Sequence, residues 1–215
     1  MFDTILFDLD GTLTEPETGI VRCIEYALNK MDVPVPENTD FSKYIGPPLQ
    51  AAFAELLQTS DRLLIDKAIL FFRERFSEKG QYENEVYPGV KSLLKDLTDS
   101  GKQLFVATSK PEIFAKNIIN HFNLSEYFSG IYGAGLDGTR SDKAELLGYL
   151  LQEEKIEPES AIMIGDRKYD ITGAVLNNLS TIGVLWGYGA KEELQSVNAT
   201  WLCKDVSCIA EILLR

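Results

Sequence analysis

The sequence predicts an α/β protein: a Rossmann-like parallel sheet flanked by helices, with an all-helical segment inserted after the first strand. Three observations carry this prediction. The apolar run Thr4-Ile5-Leu6-Phe7 leads straight into Asp8-Leu9-Asp10-Gly11-Thr12. From residue 100 onward, short apolar runs alternate with helical patterns, which calls for right-handed crossovers and a sheet covered on both faces. Between about Glu15 and Asn84, apolar residues recur at helical spacing and no strand pattern appears.

The first run reads as a buried strand. Side chains on a strand alternate faces, so Asp8 and Asp10 are expected to point the same way at its carboxyl end, where open α/β sheets place their chemistry. Two like charges there repel unless a cation or a proton separates them. In the insert, Val21, Ile24, Leu28 and Met31 form one helical stripe, Leu49, Ala52, Phe53 and Leu56 another, and Ser60–Gly80 continues the pattern. Pro16 precedes the insert and Tyr87-Pro88-Gly89 follows it, so both crossings carry breakers suited to hinges. The predicted division is therefore a core of 1–14 and 85–215 and a helical cap of 15–84.

Further strands are expected at Gln103–Thr108, Ser129–Gly133, Ala161–Gly165 and Thr181–Trp186, with a weaker one at Ala199–Cys203. Helices are expected to begin near Pro111, Lys143, Asp170 and Lys191, and a last one runs to the end. Ser109 with Glu112 reads as a capping box, and so does Asp142 with Glu145. The second box puts Lys143 at the first helical position, where a cation opposes the helix dipole. A local rule broken in this way points to function, although Lys143 taken alone reads as a solvated lysine and Arg140 is a rival cation nearby. Asp166 ends an apolar strand, whereas Asp170 also reads as a first-turn acid. If the strands of Asp8 and Asp166 are neighbours, carboxylates converge at one sheet edge, a hard-oxygen set suited to magnesium.

Composition narrows the function. The chain has 215 residues, a net charge of −12 and 45% hydrophobic residues. Such an acidic balance argues against nucleic acid, which requires a basic footprint. A phosphate site here must take its positive potential locally, from a metal, a lysine or a helix N-terminus. No apolar run is long enough to span a bilayer and no leader pattern precedes the first strand, so a cytoplasmic setting without membrane contact is expected. Cys23, Cys203 and Cys208 read as reduced thiols. His121 reads as structural, Gly187-Tyr188-Gly189 as a plain turn, and Arg73, Arg75 and Lys79 as a solvated helix face. A calcium loop is excluded, because Leu13 stands where that loop needs its glycine.

Taken together and in order, these pieces resemble the haloacid dehalogenase superfamily. Asp8-Leu9-Asp10-Gly11-Thr12 is similar to its first motif, Thr108 to its second, Lys143 to its third, and Gly165-Asp166 through Asp170 to its fourth. The insert resembles the helical cap of the phosphoglycolate-phosphatase-like or 5′-nucleotidase-like branch. The resemblance implies a Mg²⁺-dependent phosphatase for small phosphorylated metabolites, acting as a monomer or homodimer through an aspartyl phosphate. It implies Asp8 as nucleophile and Asp10 as acid/base, with Thr108 and Lys143 on the phosphate. The metal ligands would be Asp8, the Asp10 carbonyl, Asp166 and Asp170. Gly11, Thr12 and Ser109 would line the phosphate, with the N–H groups after Asp10 free to donate. Lys43 and Gly46 would read the rest of the substrate. The rivals are a sugar-phosphate mutase of the same fold and, in another class, a receiver-like or regulatory phosphate-binding protein.

Overall fold

The structure, a computed structural model, describes residues 2–35 and 39–214. Met1, residues 36–38 inside the expected helical insert, and Arg215 lie outside the described residues. The chain divides into two compact units, Met1–Glu15 with Val86–Arg215 and, between them in sequence, Pro16–Glu85.

The first unit is built on a parallel sheet. Among the described residues, six strands join in the order β5-β4-β1-β6-β7-β8. They are β1 (Thr4–Phe7), β4 (Gln103–Pro111), β5 (Gly130–Ala134), β6 (Ala161–Gly165), β7 (Ser180–Val184) and β8 (Trp201–Cys203). Two-residue strands β2 (Thr14–Glu15) and β3 (Glu85–Val86) make a separate ladder. All four residues of β1 are buried, as an unbroken apolar run requires in a sheet covered on both faces. It pairs with β4 from Thr4↔Gln103 to Phe7↔Val106 and with β6 from Thr4↔Ala161 to Phe7↔Ile164. The chain moves outward through β4 and β5, then returns to the other side of β1 as β6. This reversal opens a crevice at the carboxyl ends of β1, β4 and β6.

Helices α4 (Val90–Asp99), α5 (Glu112–His121), α6 (Lys143–Glu154), α7 (Lys168–Leu176) and α8 (Lys191–Ser196) connect the strands, and α9 (Val206–Leu213) follows β8. One face of the sheet packs Leu6, Phe105 and Met163 against Leu147, Leu150 and Ala174 of α6 and α7. Helix α4 was not anticipated, although Val90, Leu93, Leu94 and Leu97 form its buried stripe. Asp142 caps α6 as expected, accepting from the N–H groups of Ala144 and Glu145 at 2.9 and 3.0 Å. Ser109 does not cap α5. Strand β4 runs on to Pro111, and the helix starts at Glu112 without a side-chain cap.

The cysteine expectation is also corrected. Cys203 and Cys208 form a disulfide with a Cα–Cα separation of 5.5 Å, and Cys23 is buried outside any disulfide. Asp205 caps α9 by accepting from the Cys208 N–H at 3.1 Å, which turns the first helical turn back toward the end of β8. Cα atoms this close are within bridging reach. No helix among the described residues is long and apolar enough to cross a membrane.

The second unit contains α1 (Glu17–Lys30), α2 (Leu49–Leu56) and α3 (Arg62–Glu78). Its core joins Ile20, Ile24 and Leu28 of α1 to Ile69, Phe72 and Phe76 of α3, with Phe53 of α2 edge-on to Phe72. The buried stripe of α1 is centred on Cys23 and Ala27, so Val21 and Met31 fall at its margins. Arg75 is not on a solvated face. Its guanidinium makes a two-pronged pair with Glu83 at 2.6 and 3.0 Å and reaches Cys23 Sγ at 3.4 Å.

Candidate active site

The site assembles where β1, β4 and β6 end. Strand β1 stops at Phe7, and the next N–H, that of Asp8, donates to the Ile164 carbonyl of β6 at 2.9 Å. Asp166 follows β6 directly, and Asp170 lies in the first turn of α7, where its carboxylate accepts from the Arg167 N–H at 3.0 Å. Oxygens of Asp8, Asp166 and Asp170 all fall within 4.8 Å of one another. Two adjacent parallel strands, each delivering an acid one residue past its end, produce this convergence.

Lys143 enters the cluster from α6. Its Nζ donates to Asp8 Oδ1 at 2.7 Å and to the Ala107 carbonyl at 2.8 Å, and it pairs with Asp170 Oδ1 at 2.7 Å. Only 5% of the residue is exposed. This explains the unfavourable helix position: the charge serves the carboxylates rather than the helix. Burial alone would push the Lys143 ammonium down, but Asp170 and Asp8 outweigh it and hold it above its ordinary value.

The acids show the opposite strain. Burial, with added repulsion from Asp170 and Asp8, holds Asp166 well above the usual carboxylate range. Burial also raises Asp170 to about 6 although Lys143 opposes the shift. Within the cluster three carboxylates face one ammonium, and Asp166 is held by neutral donors instead. It accepts from the Tyr188 N–H at 2.7 Å and the Thr12 hydroxyl at 3.5 Å. A buried, oxygen-only set with excess negative charge fits a hard divalent cation.

The turn after Asp10 differs from its expected use. The Gly11 N–H donates to the Thr14 carbonyl at 2.8 Å and the Thr12 N–H to the Leu9 carbonyl at 3.3 Å, so these donors are engaged in closing the turn. Gly11 matters for space instead: with φ at +84°, a Cβ there would sit 2.4 Å from Asp166 Oδ2. The Gly187-Tyr188-Gly189 segment is likewise more than a plain turn. It wraps Asp166, and a Cβ on Gly187 would meet the Gly11 carbonyl at 2.3 Å and Asp166 Cβ at 2.4 Å. Trp186 Nε1 donates to the Thr12 carbonyl at 3.2 Å, joining the two loops.

Asp10 stands outside the three-carboxylate cluster. Burial raises it above the usual range, and Lys110, whose Nζ donates to Oδ2, opposes that rise. Lys110 was not singled out in the sequence. The signal was present, because it lies two residues past Thr108 on β4 and period two puts both on one side. Thr108 is buried at the site end of β4, and its Oγ1 accepts from the Lys110 N–H at 3.3 Å. Ser109 lies between them on the strand, half-buried. Lys43 and Gly46 belong to the helical unit. There, Lys43 Nζ pairs with Glu55 at 2.5 Å and lies over the Tyr44 ring, and Gly46 takes φ of 97°.

Residues 5–184 match the family model described as haloacid dehalogenase-like hydrolase. A 5′-nucleotidase of Pseudomonas aeruginosa is 41% identical over 212 residues, covering 99% of this chain and 96% of that protein. Tyrosine-protein kinase PtkA of Mycobacterium tuberculosis is 36% identical over 91% of this chain and 66% of its own length. Among solved structures, a protein described as a predicted phosphatase from Clostridium acetobutylicum superposes with a TM-score of 0.93 at 42% identity, covering 100% of this chain and 99% of that one. With the motif residues gathered at one crevice and the match spanning most of the sequence, the chain belongs to the haloacid dehalogenase-like hydrolase family.

Proposed function

We propose that this hydrolase is a divalent-cation-dependent phosphatase that cleaves small phosphate monoesters through a phosphorylated Asp8. The observation that carries this reading is the placement of Asp8, one oxygen held by Lys143 at 2.7 Å, at the mouth of the central strand beside Asp166 and Asp170. Mg²⁺ would be held by Asp8, Asp166, the Asp10 carbonyl and, directly or through water, Asp170; when bound it neutralises charge on the phosphoryl oxygens.

The chain's own groups perform the rest. Lys143, itself anchored on the Ala107 carbonyl, fixes one Asp8 oxygen, which leaves the other to attack phosphorus. The Lys143 ammonium and the Thr108 hydroxyl stabilise charge as it grows on the phosphoryl group. Asp10, which burial raises above the usual carboxylate range against the pull of Lys110, gives a proton to the departing alcohol and then takes one from the attacking water. Ser109, Gly11 and Thr12 border this pocket, with Gly11 and Thr12 acting through the placement of Asp166. The helical unit is read as the cap, with Lys43 and Gly46 as specificity residues. The similarity to a protein named 5′-nucleotidase favours a nucleoside monophosphate over phosphoglycolate as substrate.

The test is turnover of p-nitrophenyl phosphate with Mg²⁺, followed by a panel of nucleoside monophosphates and phosphoglycolate. Asp8→Asn should abolish turnover while leaving the thermal transition in place. Wild-type turnover in that variant removes Asp8 as nucleophile, and no turnover by the wild type removes the phosphatase reading. Dependence on a bisphosphate activator would identify a mutase instead.

A further inference from the structure

The Lys110 side chain is 7% exposed, and its ammonium donates to Oδ2 of Asp10, whose side chain is 12% exposed. The other carboxylate oxygen, Oδ1, is buried and has no hydrogen-bond partner. Unpartnered buried acceptors are rare in native proteins and demand a reason. A purely structural ion pair does not supply one, because it leaves half of the carboxylate unsatisfied. A carboxylate fixed by one oxygen and waiting with the other does.

We infer that Lys110 is a positioning residue for the reaction: by taking Oδ2 of Asp10 it presents Oδ1 to the leaving-group oxygen of the substrate and later to the attacking water. This rests on Asp10 being the proton donor of the proposed mechanism. The backbone supports the arrangement. Strand β4 breaks register with β5 between Thr108 and Pro111, and the Lys110 N–H donates to Thr108 Oγ1 at 3.3 Å, fixing the point from which the lysine leaves the strand. The same short segment thereby anchors the phosphate-binding hydroxyl and the proton-transfer group.

In the first half-reaction an Asp8 oxygen bonds to phosphorus while the bridging P–O bond breaks. The bridging oxygen takes the proton from Asp10 Oδ1 and leaves as the alcohol, so Asp10 becomes a carboxylate against the Lys110 ammonium. In the second, the oxygen of a water bonds to phosphorus and its proton passes to Asp10 Oδ1. The bond between Asp8 and phosphorus breaks, inorganic phosphate leaves, and both aspartates return to their starting forms. Lys110 keeps its protons throughout and touches neither substrate nor phosphate.

The experiment compares two esters that differ in their need for a proton. Glycerol 1-phosphate must expel an alkoxide unless it is protonated, whereas p-nitrophenyl phosphate expels a stable phenolate. Lys110→Met should lower kcat on glycerol 1-phosphate by roughly 10²-fold, leave KM within about threefold, and lower kcat on p-nitrophenyl phosphate far less. Lys110→Arg should restore part of the alkyl-ester rate. Combining Lys110→Met with Asp10→Asn should be no worse than Asp10→Asn alone, since both act through one carboxyl group. Equal losses on the two esters, a change confined to KM, or additivity with Asp10→Asn would each overturn the inference. Should Lys110→Met fail to fold, Lys110→Gln, which keeps an N–H donor, carries the same ester comparison. If the wild type hydrolyses neither ester, or Asp8→Asn remains active on p-nitrophenyl phosphate, the phosphatase reading itself has failed and this inference goes with it.

Discussion

Nζ of Lys143 sits 2.7 Å from Oδ1 of Asp8, across 135 residues of sequence, deep enough that neither charge is compensated by bulk water. The same ammonium serves Asp170, so one cation holds apart two of the three carboxylates at the crevice. The pair is a structural tie between the end of β1 and α6 and, in the proposed mechanism, also aims the nucleophile.

Removing that cation should therefore damage both roles. Lys143→Met leaves buried carboxylates uncompensated, a change that costs about 3–5 kcal/mol in comparable buried pairs. Activity on p-nitrophenyl phosphate should fall by about 10²-fold or more. Mg²⁺ should stabilise the variant more than the wild type, because it replaces part of the lost positive charge. Urea unfolding with and without Mg²⁺ checks this, and equal Mg²⁺ gains in the two proteins would show that Lys143 and the cation do not share these carboxylates.

Gly187 offers a test of how Asp166 is held. A methyl group there would meet Asp166 Oδ2 at 2.5 Å and the Gly11 carbonyl at 2.3 Å, so the loop must move away. Its movement would break the 2.7 Å bond from the Tyr188 N–H to Asp166. Gly187→Ala should cost about 1–3 kcal/mol by overpacking and weaken Mg²⁺ binding by roughly 10-fold or more, the range seen when a ligand's supporting bond is lost. Calorimetric titration with Mg²⁺ reads the second effect. Unchanged binding would mean that the loop does not orient Asp166.

The two acids at the start of α7 can be ranked. Asp170 shares Lys143 and caps the Arg167 N–H, so part of its charge is already used, whereas Asp166 has neutral donors. Asp166→Asn should raise the Mg²⁺ concentration needed for half-maximal turnover more than Asp170→Asn does. The reverse order in a Mg²⁺ titration of activity would show that Asp170 carries the larger share of the binding.

Much of this site was legible because its acids follow strands. Asp8 and Asp166 each terminate an apolar run, and a parallel sheet made neighbours of the two runs. Lys143 was legible for the opposite reason, as a cation where the helix dipole disfavours one. What could not be read were relations set by loop closure. Ser109 looked like a cap because sequence does not show that β4 continues to Pro111. Gly187-Tyr188-Gly189 looked like a plain turn because nothing local says that Asp166 lies beneath it. Cys203 and Cys208 looked like separate thiols because their proximity depends on the turn before α9, closed by Asp205. Arg75 looked solvated because its partner Glu83 lies beyond the end of its own helix.

That last pair gives the helical unit a measurable acid sensitivity. Arg75 donates to both oxygens of Glu83, Arg22 adds a third contact at 2.8 Å, and the Arg75 and Glu83 side chains are 17% and 23% exposed. Hydrogen bonding to Arg75 holds the Glu83 carboxyl below its usual 4.5 despite partial burial. A carboxyl lowered by folding contributes stability that is complete above its unfolded value and is lost as pH falls through the folded one. Glu83→Gln should therefore cost about 1.5–3 kcal/mol at neutral pH, the range for hydrogen bonds to charged groups. The gap between variant and wild type should close as pH drops below 4.5. Urea unfolding across that range checks the sign. A gap that stays constant into acid would mean that the variant's loss comes from the amide's geometry, and that the charge on Glu83 contributes nothing to holding α3 against α1.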